Sequence, residues 1–444
     1  MNKKVALHNL GCKVNAYEVE AMQQLLEQAG YEIVPFEPGA DVYVINTCTV
    51  TNIADRKSRQ MLHKAKKMNP DAIVVAAGCY AQTDTGKLEA DSAVDLILGN
   101  NQKKNIVEAL TEYEIEHRKA ARVIKINQTK EYEELSIGYT AEHVRAYLKV
   151  QDGCNQFCTY CIIPYARGRV RSRRPESILE EVHALAERGY KEIVLTGIHL
   201  SSYGVDFPEG ENMNLLGLIR AVHQIDGIRR IRLGSLEPGI VTEEFARGIS
   251  GLPKVCPHFH LSLQSGCDAT LKRMNRRYDS GEYAMRCELL RKYYENPALT
   301  TDVIVGFPQE TEEDFRKSYD FVEEIHFYET HIFKYSRRQG TKAAVMEGQI
   351  TESTKAQRSD KMLALHEQRS QEYESAMLGK ELEILLEEEI QVDGRAYYVG
   401  HSREYVKTAV EKQDGIGVND IVSVRAEKFL EKHVLLGIFQ GQKQ

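Results

Sequence analysis

The chain has 444 residues, 42% hydrophobic and 28% charged, and its formal net charge of -7 argues against a generally basic nucleic-acid binder. The length predicts two or three domains, and no apolar run is long enough to span a membrane. The short apolar stretch near Met1 is not typical of a secretion signal, so we expect a cytoplasmic protein with no membrane partner.

Residues 1–115 alternate short β-branched apolar runs with polar stretches of helical character. The apolar runs are VALHNL, DVYVIN, AIVVAA and VDLIL, and one polar stretch is ADRKSRQMLHKAKKMN. This alternation predicts an α/β domain built on an open parallel sheet. The charged residues 116–142 show no clear core periodicity and are predicted to form a linker.

Residues 143–370 contain six strand-like runs separated by helical candidates. The runs are AYLKVQ, EIVLTG, IRRIRLGS, HFHLSLQ, TTDVIVG and THIFKYS, and the helical candidates include ESILEEVHALAERG and EEDFRKSYDFVEEI. A closed barrel of eight strand-helix units needs about 250 residues. Because this span is shorter, it predicts a partial (βα)6 barrel.

Residues 371–444 follow a polar helical stretch and contain five short strand candidates without helices between them. The strand candidates are LEILLEE, AYYVGHS, YVKTAVE, IVSVRAE and HVLLGIF. This pattern predicts a small all-β, OB-like barrel of the kind that often binds oligonucleotides. The segment is acidic, with Glu387, Glu388 and Glu389 in a row, so a solvated structural cap is the alternative.

Nine cysteines in a chain without a secretion signal indicate metal or redox chemistry in a reducing compartment. The run DGCNQFCTYC places Cys154, Cys158 and Cys161 in one loop after the first barrel strand. This spacing lets a loop wrap a 4Fe-4S cube and ligate three irons, so that the fourth iron stays open. A zinc site is the alternative, but a closed one needs a fourth Cys or His, and none is suitably spaced nearby.

Three further cysteines, Cys12, Cys48 and Cys79, are far apart in sequence, yet each closely follows an apolar strand run. Their contexts are NLGC, INTC and AAGC. Ligands of open parallel sheets lie outside the carboxyl ends of the strands, so the three thiols are expected to converge. A 4Fe-4S cluster and a three-thiolate zinc site both fit this pattern. The remaining cysteines are expected to be structural; they are Cys256, Cys267 and Cys287.

These motifs resemble those of known enzymes. CNQFCTYC resembles the CxxxCxxC signature of radical S-adenosylmethionine enzymes, and GCKVNAYE, NTCTV and GCYAQ resemble the N-terminal motifs of the methylthiotransferases among them. The resemblance implies two 4Fe-4S clusters held by the six catalytic cysteines, S-adenosylmethionine as cofactor, and a C-terminal TRAM barrel. It further implies that the central cluster generates a 5′-deoxyadenosyl radical and that the N-terminal cluster holds the sulfur before transfer.

The resemblance also suggests contacts for the cofactor. Tyr160 resembles the aromatic position beside the cofactor adenine, and four strand ends face the rim where barrel enzymes bind ligands. The candidate contacts at that rim are Glu237, Ser262, Gln264 and Asp302. Ordinary capping or loop hydrogen bonding is the alternative for each of them.

An arginine-rich stretch, RGRVRSRR, directly follows the central cysteine loop. Guanidinium groups bind phosphate oxygens in a bidentate manner, so this stretch is predicted to contact RNA. The predicted contacts are Arg167, Arg169, Arg171, Arg173 and Arg174. A solvated loop or a lid held by Glu176, Glu180 and Glu181 is the alternative. RKSR at 56–59 and KRMNRR at 272–277 are further basic patches.

The motif GCKVNAYE most resembles the branch that methylthiolates N6-threonylcarbamoyladenosine 37 in tRNA at carbon 2. The expected partners are therefore the tRNA anticodon stem-loop, an electron donor such as a flavodoxin or ferredoxin, and a sulfur source. Sister branches act on N6-isopentenyladenosine 37 or on an aspartate of a ribosomal protein. A non-catalytic iron-sulfur or RNA-binding scaffold is a further alternative, although the intact CxxxCxxC loop argues against it.

Overall fold

The computed structural model describes residues 3–140 and 144–442. Its first part is a six-stranded sheet in which all strands are parallel, in the order β2-β1-β3-β4-β5-β6. The strands are β1 (Lys4–Asn9), β2 (Glu32–Ile33), β3 (Val42–Thr47), β4 (Ile73–Gly78), β5 (Leu96–Leu98) and β6 (Ala120–Arg122). The helices are α1 (Lys13–Gln28), α2 (Asn52–Met68), α3 (Cys79–Thr83), α4 (Thr85–Glu89) and α5 (Ile106–Glu116).

Helices cover both faces of this sheet, and its central strand β3 is buried throughout because apolar cores lie on either side. The predicted open parallel α/β sheet is therefore confirmed. The strand order makes β1, β3 and β4 neighbours, so their carboxyl ends open at one edge of the sheet. That edge is where ligands of such sheets bind.

The central part contains the six predicted barrel strands and one short additional strand. The strands are β7 (Ala146–Asp152), β8 (Arg171–Ser172), β9 (Glu192–Gly197), β10 (Arg230–Leu233), β11 (His258–His260), β12 (Ala298–Val305) and β13 (Glu329–Lys334). The helices are α6 (Ile163–Arg167), α7 (Pro175–Glu187), α8 (Leu215–His223), α9 (Glu243–Ser250), α10 (Asp268–Arg273), α11 (Ser280–Tyr293), α12 (Glu312–Ile325) and α13 (Glu352–Ser375).

Strands β7, β9 and β10 form one parallel set, and β11, β12 and β13 form another. Two isolated parallel bridges, from Ile231 to Val255 and from Leu236 to Leu261, connect the sets into one arc. Strand β8 pairs antiparallel with β7. Among the described residues no further strand pairs with β13, so the arc ends there and the predicted partial (βα)6 barrel is confirmed.

The two faces of the arc differ in polarity because successive strand residues point in opposite directions. On β12, Leu299, Val303 and Val305 belong to the large core that the outer helices share. Asp302 therefore points to the concave inner face, which we call the lumen. The same alternation places Arg232 and His260 on the lumen side of their strands, beside the apolar Ile231 and Phe259 that face the helices.

The C-terminal part is a closed five-stranded barrel in the order β14-β15-β16-β18-β17, as predicted. Its strands are β14 (Glu381–Val392), β15 (Arg395–Ser402), β16 (Lys407–Glu411), β17 (Ile421–Glu431) and β18 (Val434–Gln442). The turn between β15 and β16 inserts Tyr405 beneath the arc. The guanidinium groups of Arg145 and Arg232 lie 5.0 and 4.7 Å from the centre of the Tyr405 ring.

Two elements cross the domain limits predicted from sequence. Strand β6 lies within the predicted linker and pairs with β5, so the first sheet extends beyond residue 115. Helix α13 runs through the limit between residues 370 and 371. The predicted limits at residues 1, 142, 143 and 444 fall outside the described residues. Within the described ranges, no helix combines the length and apolar character needed to cross a bilayer.

Candidate active site

The structure brings Cys12, Cys48 and Cys79 together at the carboxyl ends of β1, β3 and β4. The loop before Cys12 packs directly on Cys48, because a Cβ atom at Gly11 would lie 3.2 Å from the Cys48 Sγ. Burial and the nearby thiols of Cys79 and Cys12 raise the pKa of Cys48 to about 11. The three thiols therefore share one site, which we call the N-terminal triplet.

Three polar side chains hold this triplet, and sequence reasoning did not assign any of them to it. The Arg167 Nε and the Asn100 Nδ2 donate hydrogen bonds to the Cys79 Sγ at 3.2 and 3.5 Å. The Cys12 thiol lies 3.8 Å from the Asn15 Oδ1, and Asn15 accepts a hydrogen bond from Arg167 at 2.7 Å. Arginine and asparagine donors toward sulfur are a feature of metal-thiolate sites.

Cys154, Cys158 and Cys161 lie in the loop between β7 and α6, which we call the central triplet. The loop turns sharply at Gly153, whose φ is 71°, and a Cβ atom there would lie 1.9 Å from the Arg169 carbonyl oxygen. Burial and the neighbouring Cys158 thiol raise the pKa of Cys154 to about 11 and that of Cys161 to about 12. All three thiols belong to one short loop, so they share one site.

A buried arginine also contacts the central triplet. The Arg276 Nη1 lies 3.3 Å from the Cys158 Sγ, and its Nη2 lies 3.3 Å from the Glu237 Oε1. Arg276 belongs to the basic patch KRMNRR, which sequence analysis assigned to a surface. The structure buries it instead, because the Cys158 sulfur, the Glu237 carboxylate and the Ser262 carbonyl oxygen accept hydrogen bonds from it.

Both triplets fit a 4Fe-4S cluster better than a single zinc ion. Thiolates on one zinc ion stand about 3.8 Å apart, as follows from Zn–S bonds of about 2.3 Å in a tetrahedron. In the described residues, neither triplet brings three ligand atoms within 4.8 Å of one another. Cysteines that ligate different irons of a cube stand farther apart because the cube lies between them. The donor set in each case is three thiolates, which leaves one iron without a cysteine.

The predicted cofactor contacts surround the central triplet in different ways. Tyr160 packs edge-on against Phe307, with ring centres 6.4 Å apart. Glu237 pairs with Arg276, as described above. Ser262 and Gln264 are held by their backbones, since Tyr278 donates to the Ser262 carbonyl at 2.6 Å and the Gln264 amide donates to the Asp302 carbonyl at 2.8 Å. Their side chains are therefore not fixed by those bonds.

Asp302 belongs to a cluster with two histidines on the lumen side of the arc. The His260 Nε2 is 3.2 Å from the Asp302 Oδ2, and the His260 and His331 rings stack with their centres 5.6 Å apart. Each of the three residues offers one donor atom within 4.8 Å of the others. Sequence analysis missed both histidines, although His260 and His331 each stand in a predicted strand at a lumen-facing position.

Three of the five predicted RNA contacts are wrong, because the structure buries their side chains. Arg167, Arg171 and Arg173 are 0–2% exposed, so they do not form a surface patch. The reason is a set of buried carboxylates from distant parts of the chain. Arg167 pairs with Glu18 and Asp152, Arg171 lies 3.7 Å from Asp152, and Arg173 pairs with Glu181.

Arg169 and Arg174 are exposed, so both are accessible to a partner, and their contact with RNA stays a prediction. The Arg169 guanidinium lies 4.5 Å from the centre of the Phe157 ring, and that ring meets the exposed Tyr165 edge-on at 6.1 Å. Arg174 instead pairs with Glu211. Arg174 also lies 5.2 Å from the centre of the Phe207 ring, but the aromatic neighbour of Arg169 is the one that belongs to the loop of the central triplet.

Comparisons with known proteins agree with this geometry. Residues 4–99 match the model of "Uncharacterized protein family UPF0004", and residues 148–322 match the Radical SAM superfamily. The threonylcarbamoyladenosine tRNA methylthiotransferase MtaB of Bacillus subtilis (strain 168) is 42% identical over 96% of this chain and 94% of its own length. A tRNA-2-methylthio-N(6)-dimethylallyladenosine synthase of Moorella thermoacetica is 37% identical over 85% of each chain.

A solved structure also shares the fold. The radical S-adenosylmethionine methyltransferase TsrM of Kitasatospora setae, with tryptophan and aza-SAM bound, matches with a TM-score of 0.58. The match covers 78% of this chain and 75% of TsrM at 16% sequence identity. This likeness shows that the arrangement of an α/β domain beside a radical SAM barrel occurs in a second protein.

Proposed function

Because the chain belongs to the tRNA methylthiotransferase family of radical S-adenosylmethionine enzymes, we propose that it methylthiolates carbon 2 of N6-threonylcarbamoyladenosine 37 in tRNA. The observation that carries this proposal is the closeness of the two triplets. Helix α6 starts just after Cys161, has five residues and ends at Arg167, which contacts Cys79. A helix of that length spans about 7.5 Å along its axis, and the Arg167 side chain completes the path to Cys79. One short helix and one side chain therefore connect the two triplets, which supports the transfer of a group between them.

Enzymes of this family use S-adenosylmethionine and 4Fe-4S clusters, which supply reductive cleavage of the cofactor and a site for the transferred sulfur. In this chain, Cys154, Cys158 and Cys161 would hold the cleaving cluster. Cys12, Cys48 and Cys79 would hold the sulfur-bearing one. The Arg276 and Arg167 guanidinium groups donate to one cysteine sulfur in each triplet, which stabilises the negative charge of the thiolates.

The cofactor is assigned to the rim around the central triplet. Tyr160 offers an aromatic face for the adenine, and Glu237 offers a carboxylate for the methionine ammonium or a ribose hydroxyl. Ser262 and Gln264 offer free side chains at the end of β11. Asp302 lies beside His260 in the lumen, where a substrate base would be placed.

The RNA partner is assigned to the surface next to the central triplet. Adenosine 37 lies in a single-stranded loop, so its base can leave the stack without opening a duplex. Arg169, Phe157 and Tyr165 present a guanidinium plane and aromatic rings on which loop bases stack. The C-terminal barrel, which would be a TRAM domain, is a second RNA-binding candidate. A flavodoxin or ferredoxin would supply the electron, and a separate sulfur source would restore the donor.

A second candidate is methylthiolation of N6-isopentenyladenosine 37, which the 37% identity to a dimethylallyladenosine enzyme supports. Nucleoside mass spectrometry of tRNA from cells lacking this protein separates the two. We expect loss of methylthio-threonylcarbamoyladenosine alone, and loss of the isopentenyl product instead would favour the second candidate. Unchanged tRNA together with an altered ribosomal protein would overturn both candidates.

A further inference from the structure

A cavity of about 800 Å³ lies where the first domain meets the barrel, and residues next to both triplets line it. Ile162, which directly follows Cys161 of the central triplet, is part of the lining. Gln82 and Thr83 are also part of it, and both belong to α3, the helix that begins at Cys79 of the N-terminal triplet. A molecule in this cavity therefore lies beside both triplets.

Arg337 lines this cavity and is fixed at two points. Its backbone carbonyl accepts a hydrogen bond from the Asn52 Nδ2 at 3.1 Å, and its Nε donates one to the Ala344 carbonyl at 2.6 Å. Asn52 is the first residue of α2 and stands four residues after Cys48. Arg337 is exposed, and within residues 3–140 and 144–442 neither of its Nη groups has a partner. The guanidinium group is therefore anchored at Nε and available at its two Nη atoms.

The other charged residues of the cavity lining already pair with one another. Asp55 pairs with Arg338 at 2.6 Å, and Asp84 pairs with Lys87. Three cations and two carboxylates line the cavity, so Arg337 is the charge that stays uncompensated among the described residues of the lining. An uncompensated guanidinium group in a concave space attracts an anion.

The uncharged part of the lining is mainly polar. The large apolar side chains in it are those of Ile162 and Tyr165. A polar lining suits a group that carries amide, hydroxyl and carboxylate functions, because an apolar group would leave the polar side chains without hydrogen bonds. The amide side chains of the lining belong to Asn52, Gln82, Asn127 and Gln339.

The chemistry of adenine indicates which part of the substrate reaches this cavity. Carbon 2 and the N6 nitrogen flank N1 on one edge of the base, whereas the ribose and its phosphates are attached at N9 on the other side. When carbon 2 faces the sulfur held at the N-terminal triplet, a substituent on N6 lies near the same triplet and therefore near Arg337. A threonylcarbamoyl substituent ends in a carboxylate, whereas an isopentenyl substituent is apolar.

We propose that the cavity receives the N6 substituent and that Arg337 binds its carboxylate, so that the enzyme selects threonylcarbamoyladenosine over adenosines with uncharged substituents. This inference rests on the proposed function. The two available Nη groups of Arg337 match the two oxygens of a carboxylate in a bidentate pair. Because the Ala344 carbonyl already holds the Nε, the side chain loses less conformational freedom when the carboxylate binds.

The test uses the holoenzyme and two anticodon stem-loop RNAs, one with N6-threonylcarbamoyladenosine and one with its methyl ester. The ester keeps the shape of the group but removes its charge. We expect wild type to bind the acid at least about tenfold more tightly than the ester, as a charge-assisted hydrogen bond would give. Arg337→Met should bring this ratio close to one, and Arg337→Lys should keep part of it. Fluorescence anisotropy measures both affinities.

A matched control is Arg316→Met, which removes the same charge from a side chain that is 80% exposed on α12, outside the cavity. It should keep the wild-type ratio. Iron content and the melting temperature verify that each variant is folded, and Arg337→Gln replaces Arg337→Met if the latter loses iron.

Two results would overturn the inference. One is a wild type that binds the acid and the ester equally well. The other is a folded Arg337 variant that binds both RNAs more weakly by the same factor, or that binds both as wild type does. Equal weakening would show that Arg337 contacts a backbone phosphate, which both RNAs carry. Failure of wild type to methylthiolate the acid RNA would instead overturn the proposed function.

Discussion

The Arg167 Nε lies 3.2 Å from the Cys79 Sγ, although the two residues come from different domains. The same guanidinium pairs with Glu18 at 2.8 Å and with Asp152 at 3.2 Å, and all of these groups are buried. Arg167 therefore joins the N-terminal triplet to the loop that carries the central triplet. The contact explains how two sites on separate sheets keep a fixed distance.

Replacing Arg167 with Met should destabilise the protein and empty the N-terminal triplet. The change leaves the Glu18 and Asp152 carboxylates with fewer cations in a buried place, which costs about 3–5 kcal/mol. Urea unfolding and iron analysis measure the two effects. Arg169→Met is the control, because Arg169 is exposed and should change stability by less than about 0.5 kcal/mol. Normal iron content in Arg167→Met would contradict the linking role.

Removing one cysteine from either triplet should have a different effect on the reaction, because the two triplets have different roles. Each variant should hold about four irons in place of about eight, since one cluster remains. Cys158→Ala should yield no 5′-deoxyadenosine under reducing, anaerobic conditions. Cys48→Ala should still yield it but form no methylthio product. Equal loss of cofactor cleavage in both variants would show that the division of roles is wrong.

Gly153→Ala should disrupt the central triplet. The residue has a φ of 71°, and a Cβ atom would lie 1.9 Å from the Arg169 carbonyl oxygen, so the loop must shift. We expect a loss of about 3 kcal/mol or more in the free energy of unfolding, together with loss of iron. Gly189→Ala is matched in φ, at 88°, but meets no atom within 4 Å. It should cost only about 1–2 kcal/mol and leave the iron content unchanged.

His199 should make stability depend on pH in the acidic range. Burial, and then the positive charge of Arg276, lower the pKa of His199 from 6.5 to about 4. Between these values the unfolded chain binds the proton and the folded chain does not, so stability falls as pH falls from 6.5 to 4. Urea unfolding at pH 4.5 and 7 should show a smaller difference for His199→Gln than for wild type. An identical difference would mean that other groups control this range.

Arg169→Gln should weaken binding of the anticodon stem-loop more than Arg174→Gln does. Arg169 stands over Phe157 beside the central triplet, whereas Arg174 is already paired with Glu211. If Arg169 neutralises one phosphate, its loss should reduce the slope of log affinity against log salt by about 0.7–0.9. Anisotropy at several salt concentrations measures this slope. A larger change of this slope for Arg174→Gln would show that the RNA-binding surface lies around Arg174 instead.

The sequence was sufficient to predict the three-part fold and the convergence of the cysteines. Cys12, Cys48 and Cys79 each follow a strand run, and neighbouring parallel strands bring such positions together whatever their separation in sequence. The six barrel strands were recognisable because each is a short apolar run between helical segments. These features depend on local pattern and on strand order alone.

The arginines were not predictable in the same way. Within RGRVRSRR, the charged neighbours of each arginine are basic. The carboxylates that pair with Arg167 and Arg173 come from α1, β7 and α7. Charge spacing along the chain cannot show which guanidinium finds a partner from another element.

The unfinished barrel has a consequence for access. Eight strands close a barrel of this type, whereas the arc from β8 to β13 has seven, one of them the two-residue β8, so it leaves an aperture about two to three strand spacings wide, or about 10–14 Å between backbones. Such an aperture admits a single everted nucleotide and keeps a paired stem outside. We therefore expect this edge to act as a size filter, which would reject an adenosine locked in a duplex whatever its modification.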